Sequence, residues 1–85
     1  MAVLTVGMSS VRIEFLIEPF EEGSPGPHVV AAIDQARAAG AEPEVGPFGT
    51  VVEVDVAVAG TVLQRVVDAA LARDATRVAI QVERA

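Results

Sequence analysis

Gly46-Pro47-Phe48-Gly49-Thr50-Val51-Val52-Glu53-Val54-Asp55 is the stretch on which the reading of this chain turns. Its first half is a turn: two glycines tolerate backbone angles that other residues avoid, and Pro47 fixes its own φ. Its second half is β-branched and reads as a strand, with Glu53 standing among valines. Two readings of that glutamate are open from the local pattern. It points to water beside an ordinary hairpin corner, or it is a carboxylate placed on an apolar strand for a purpose. The flanking segments show which face it shares and with what.

Working back from the turn, Glu42–Gly46 reads as a short strand, and Pro43 assigns it to a sheet edge. Gly40 suits the C-terminal cap of a preceding helix over Pro27–Ala39, in which Val29, Val30, Ile33 and Ala36 recur at helical spacing and Pro27 occupies the first turn. Phe20–Gly26 is a loop by its turn residues. Val11–Glu18 alternates, with Val11, Ile13, Phe15 and Ile17 on one face and Arg12, Glu14, Leu16 and Glu18 on the other, and Pro19 ends it. Residues 1–9 read as an N-terminal extension, either disordered or an added edge strand, with Met8 as a candidate functional start; residues 10–85 form a single domain. Working forward, Val62, Leu63, Val66, Val67, Ala70 and Leu71 make a helical stripe over about Val58–Arg73, with Gly60 weakening its first turn. Arg77–Glu83 is the last strand, alternating Val78, Ile80 and Val82 with Arg77, Ala79, Gln81 and Glu83.

Strand, helix, strand, strand, helix, strand predicts an α+β domain: a ferredoxin-like βαββαβ sandwich, in which a four-stranded antiparallel sheet carries two helices on one face. The first and third strands lie at its centre, and the other face of the sheet is uncovered. If Ile13, Phe15 and Ile17 meet the helices, then Glu14, Leu16 and Glu18 face the open side. Period two sends Val51, Glu53 and Asp55 there as well, and Ala79, Gln81 and Glu83 from the last strand. Glu14, Glu53 and Gln81 therefore fall on one face of three adjacent strands. Like charges on neighbouring strands repel, so such a group calls for a cation, a proton or arginines. A solvated face neutralised by Arg12 and Arg77 is the plainer alternative.

Composition narrows the chemistry. The chain has 85 residues, 52% of them hydrophobic, enough for one small core built largely from Ala and Val. Cysteine is absent, which excludes disulfides, thiolate metal sites and a cysteine nucleophile. All six basic residues are arginine, so no lysine is present for a Schiff base or a phosphate loop. A net charge of −6 disfavours nucleic acid and anionic membranes and suits a small cation, although acidity also simply keeps a small apolar domain soluble. No secretory pattern and no apolar run of spanning length is present, so a cytoplasmic protein is the expectation. His28, the only histidine, lies at a helix start and reads as a surface residue rather than a base or ligand. The serines lack a relay partner, and the carboxylates are not spaced as a calcium loop. An RNA-binding sheet needs exposed aromatics on the central strands and a basic surface, and this chain has neither.

Three blocks carry a resemblance. Val11-Arg12-Ile13-Glu14-Phe15-Leu16-Ile17-Glu18-Pro19-Phe20, then Gly46-Pro47-Phe48-Gly49-Thr50 with Glu53, then Ala75-Thr76-Arg77-Val78-Ala79-Ile80-Gln81-Val82-Glu83 resemble the small thiamine-binding proteins, over nearly everything from Met8 onward. The resemblance implies a non-enzymatic domain that binds thiamine or its hydroxymethylpyrimidine part and assembles through its sheets into a homodimer or homotetramer. Glu14, Glu18, Gly49, Thr50 and Glu53 match motif positions and are carried over as ligand-binding residues; Phe48, within the turn, joins them. One departure stands out: the family usually has glycine after the motif glutamate, where this chain has Val54. Thiamine would be a ligand here, with no cofactor required and no metal residues assigned. Its cationic thiazolium and its aminopyrimidine edge both suit carboxylates. The competing expectation is a ligand-free interaction domain that packs its open sheet face against another subunit. An enzyme using paired carboxylates ranks third.

Overall fold

A computed structural model describes residues 9–19, 26–46 and 49–85. Strand β1 (Ser10–Glu18) leads to helix α1 (Pro27–Ala38), strands β2 (Glu44–Gly46) and β3 (Gly49–Asp55), helix α2 (Val56–Ala72) and strand β4 (Arg77–Arg84). The four strands form one antiparallel sheet in the order β2-β3-β1-β4, so β1 and β3 are central, as the pattern predicts. This is a ferredoxin-like α+β fold. Of the expected extension at residues 1–9 only Ser9 is described, and its carbonyl accepts from the Val56 N–H at 3.0 Å. Of the expected loop at residues 20–26 only Gly26 is described, as the N-cap of α1; Pro47 and Phe48 also lie outside the described residues.

Alternation sets the two faces of the sheet. Val11, Ile13, Phe15 and Ile17 of β1 are buried, as are Thr50, Val52 and Val54 of β3. The apolar ones among them meet Val62, Val66 and Ala70 of α2 and Ala32 and Ala36 of α1 in one cluster. Burying a side chain such as Ile13 or Phe15 stabilises the fold by about 1.5–3 kcal/mol. Alanines at the inner positions of both helices let α1 and α2 pack closely on each other. Among the described residues, no helix is long and apolar enough to cross a membrane.

Both helices end in the same way. Gly40 has φ +94°, its N–H bonds the Arg37 carbonyl at 2.9 Å, and the Ala41 N–H reaches back to the Ala36 carbonyl at 3.0 Å. That is a Schellman closure, with glycine where a left-handed residue is required. Asp74 (φ 67°) plays the same part for α2, with Ala75 N–H bonding the Ala70 carbonyl at 3.1 Å. A short polar side chain tolerates that backbone better than most.

Several boundaries and environments differ from the expectation. Helix α2 begins at Val56, two residues before the predicted start, because Asp55 caps it: Asp55 Oδ1 accepts from the Ala57 N–H at 2.8 Å. Strand β2 is shorter than predicted and begins after Pro43, which has no N–H for the ladder. Val82 is 48% exposed rather than in the core, since β4 is an edge strand with a neighbour on one side only. His28 is buried, not a surface residue, with 4% of its area exposed. Its Nε2 lies 2.6 Å from the Pro19 carbonyl oxygen; the carbonyl can only accept, so Nε2 donates. The bond ties the start of α1 to the end of β1.

Candidate functional site

The open face of the sheet is read most clearly as rows of residues directly opposite one another. One row runs Glu53, Arg12, Glu83 across β3, β1 and β4. The next crosses all four strands as Glu44, Val51, Glu14, Gln81. Further along, Leu16 faces Ala79, and Glu18 faces Arg77. Residues opposite each other share a face of the sheet, with Cβ atoms about 4.5–5.5 Å apart. The face thus carries Glu14, Glu18, Glu44, Glu53 and Glu83 against two arginines, and its potential favours a cation.

The arginines are already engaged. Arg12 Nη1 donates to Glu83 Oε1 at 3.2 Å, and Arg77 Nη1 donates to Glu18 Oε2 at 3.1 Å. Exposed pairs of this kind are worth about 0–1 kcal/mol each, so they arrange the surface more than they stabilise it. Ser10 Oγ donates to Glu53 Oε1 at 3.3 Å, which steadies that carboxylate without neutralising it. Among the described residues, Glu14 and Glu44 have no ion-pair partner within 4 Å. The row between the two arginine pairs is therefore the uncompensated one.

Of the residues singled out from the sequence, Glu14, Glu18 and Glu53 share this face. Glu14 and Glu53 are diagonal neighbours on the two central strands, since Glu53 stands opposite Arg12 and Glu14 opposite Val51. Glu18 is four residues along β1 from Glu14, about 13 Å at the usual strand rise, and is tied to Arg77. Gly49 closes the β2–β3 pairing against Gly46, with residues 47 and 48 between them. What Gly49 supplies is the absence of a side chain: a Cβ there would lie 3.1 Å from the Phe15 carbonyl oxygen. Thr50 is buried to 3% exposure on the opposite, helix-facing side, paired with Phe15, so its side chain does not join the carboxylates. Val54, the departure from the family pattern, is likewise buried on the helix side. Phe48 lies outside the described residues.

Glu44 is the residue of this row that the sequence reading passes over. Counting back from the Gly46–Gly49 closure would have found it, because that register sets Glu44 opposite Val51. Among the described residues, no three His, Cys, Asp or Glu side chains come together as a metal cluster.

Residues 13–83 match the family model described as thiamine-binding protein. No curated protein matches the chain. Among solved structures, a domain of unknown function from Bacillus cereus is similar at 25% identity and a TM-score of 0.65, over 93% of this chain and 78% of that one. A hypothetical protein from Methanocaldococcus jannascii is similar at 24% identity and a TM-score of 0.67, over 92% and 80% of the two chains. A candidate thiamine biosynthesis/salvage protein from Thermotoga maritima is similar at 23% identity and a TM-score of 0.61, over 87% and 80%. The last two likenesses bear on the fold alone.

Proposed function

The chain belongs to the thiamine-binding protein family, and from that premise we propose that its open sheet face binds thiamine or a related cationic aminopyrimidine without catalysing a reaction on it. The observation that carries this reading is the uncompensated carboxylate of Glu14, set on a central strand diagonally from Glu53, while the nearby arginines are held by Glu83 and Glu18. Thiamine is permanently cationic at its thiazolium and presents a hydrogen-bonding edge on its aminopyrimidine. A carboxylate satisfies the first by charge and the second by accepting from the amino group. Glu14 and Glu53 are the proposed ligand contacts. Glu18 and Gly49 lie further along the same face towards the hairpin. Phe48 is proposed as a contact on its place in the family motif alone, and Thr50 is a positioning residue whose buried side chain anchors β3. Thiamine is in this reading the ligand and not a cofactor.

A single sheet face is shallow, whereas small-molecule sites are concave and enclose most of their ligand. The proposal therefore includes a homodimer or homotetramer in which a second copy supplies the other wall. Half-buried Leu16, Val51 and Ala79 on the same face support that assembly. They equally favour the second reading, a ligand-free interaction domain closed through this face. Thermal unfolding separates the two. Thiamine at a hundred times its Kd is expected to stabilise the protein by about 2.7 kcal/mol. Oxythiamine, with an oxo group in place of the amino group, is expected to give a much smaller shift. An unchanged melting temperature at millimolar thiamine would favour the ligand-free domain.

A further inference from the structure

Resting on the thiamine reading above, we infer that Gln81 is a specificity-determining residue of the same site, acting with Glu14 to read the donor–acceptor edge of the aminopyrimidine ring. Glu14 and Gln81 are directly opposite on β1 and β4. The β1–β4 pairs on this face otherwise match charge to charge or apolar to apolar: Arg12 faces Glu83, Glu18 faces Arg77 and Leu16 faces Ala79. At Glu14 the partner is a neutral amide. Both side chains are exposed, and among the described residues neither is engaged in a side-chain hydrogen bond, with the other or with a third group.

An ionised carboxylate only accepts, whereas an amide also donates. Held side by side, the two present an acceptor next to a donor. A 4-aminopyrimidine presents the complement, an exocyclic amino donor next to a ring-nitrogen acceptor. Glu14 accepts from the amino group, and the Gln81 amide donates to the ring nitrogen. A second carboxylate at position 81 would repel both Glu14 and the lone pair on that nitrogen. A site that binds only by charge has no use for this distinction and gains from any further negative group. The oxo analogue reverses the ligand's donor and acceptor, so the same pair also explains why a site of this kind would reject it.

The test uses isothermal titration at pH 8 with thiamine, oxythiamine and an N-methylated thiazolium that lacks the pyrimidine. Gln81→Met is expected to weaken thiamine binding about tenfold and to shrink the preference for thiamine over oxythiamine, while leaving the thiazolium unaffected. Gln81→Glu is expected to weaken thiamine although it makes the face more acidic. Position 81 is exposed on an edge strand, and melting curves of both variants check that they fold. Thiamine affinity within twofold of wild type in Gln81→Met, or tighter binding in Gln81→Glu, would overturn the role of Gln81 while leaving the thiamine site standing. No thiamine binding by the wild-type protein would overturn the site and this role together.

Discussion

Glu53 and Glu14 sit on neighbouring central strands with different company. Glu53 receives a hydrogen bond from Ser10 and faces Arg12, whereas Glu14 faces Val51 on one side and Gln81 on the other. If both contact the ligand, Glu53→Gln and Glu14→Gln keep shape and lose charge, and each is expected to weaken thiamine binding by about 1.5–3 kcal/mol while leaving the melting temperature nearly unchanged. Calorimetry on the two variants checks this, and unchanged affinity in either removes that residue from the site. Gly49 is constrained by space. A methyl group at 3.1 Å from the Phe15 carbonyl oxygen forces β1 and β3 apart, so Gly49→Ala is expected to cost about 1–3 kcal/mol in urea unfolding, and Gly49→Val more. Full stability in Gly49→Ala would show that the strands yield to the extra group at no cost.

At the scale of elements, most of the architecture could be read from period. Val11–Glu18 and Arg77–Glu83 alternate cleanly, and the stripes through Ile33 and Ala36 and through Val62, Val66 and Ala70 are helical. The central position of β1 and β3 then follows from the order of elements. The start of α2 was less legible, because Asp55 belongs to the strand by period and to the helix by its side chain. Its cap bond to Ala57 decides the boundary, and Asp55→Ala is expected to lose about 0.5–2 kcal/mol in thermal unfolding, with the loss traced to the first turn of α2 by hydrogen exchange. His28 was misread for a similar reason. A histidine at the exposed start of a helix has no local cause to be buried, and its partner, the Pro19 carbonyl, is a tertiary neighbour. The site was half legible: period two brought Glu14, Glu18 and Glu53 to one face. Register, which period does not supply, separated Glu18 from the others and added Glu44. Thr50 matched a motif, yet its parity on β3 already assigned it to the core.

At the scale of the whole molecule, the described residues cover one face of the sheet with helices and leave the other to carry carboxylates among half-buried Leu16, Val51 and Ala79. Such a face is expected to be closed by a second copy, and light scattering across the micromolar range is expected to give a dimer or tetramer mass; a monomer mass throughout would contradict the shared site. The two arginine pairs and the uncompensated row between them argue against a dry interface, and a partly wet one with room for a ligand is expected there. The central claim is that thiamine binds on this face. It is tested most directly by titrating thiamine into isotopically labelled protein and following the backbone amide resonances. Shifts are expected to concentrate at Arg12–Leu16, Gly49–Glu53 and Ala79–Glu83, with the outer surfaces of α1 and α2 unmoved. Shifts confined to the helices, or no shifts at millimolar thiamine, would contradict it.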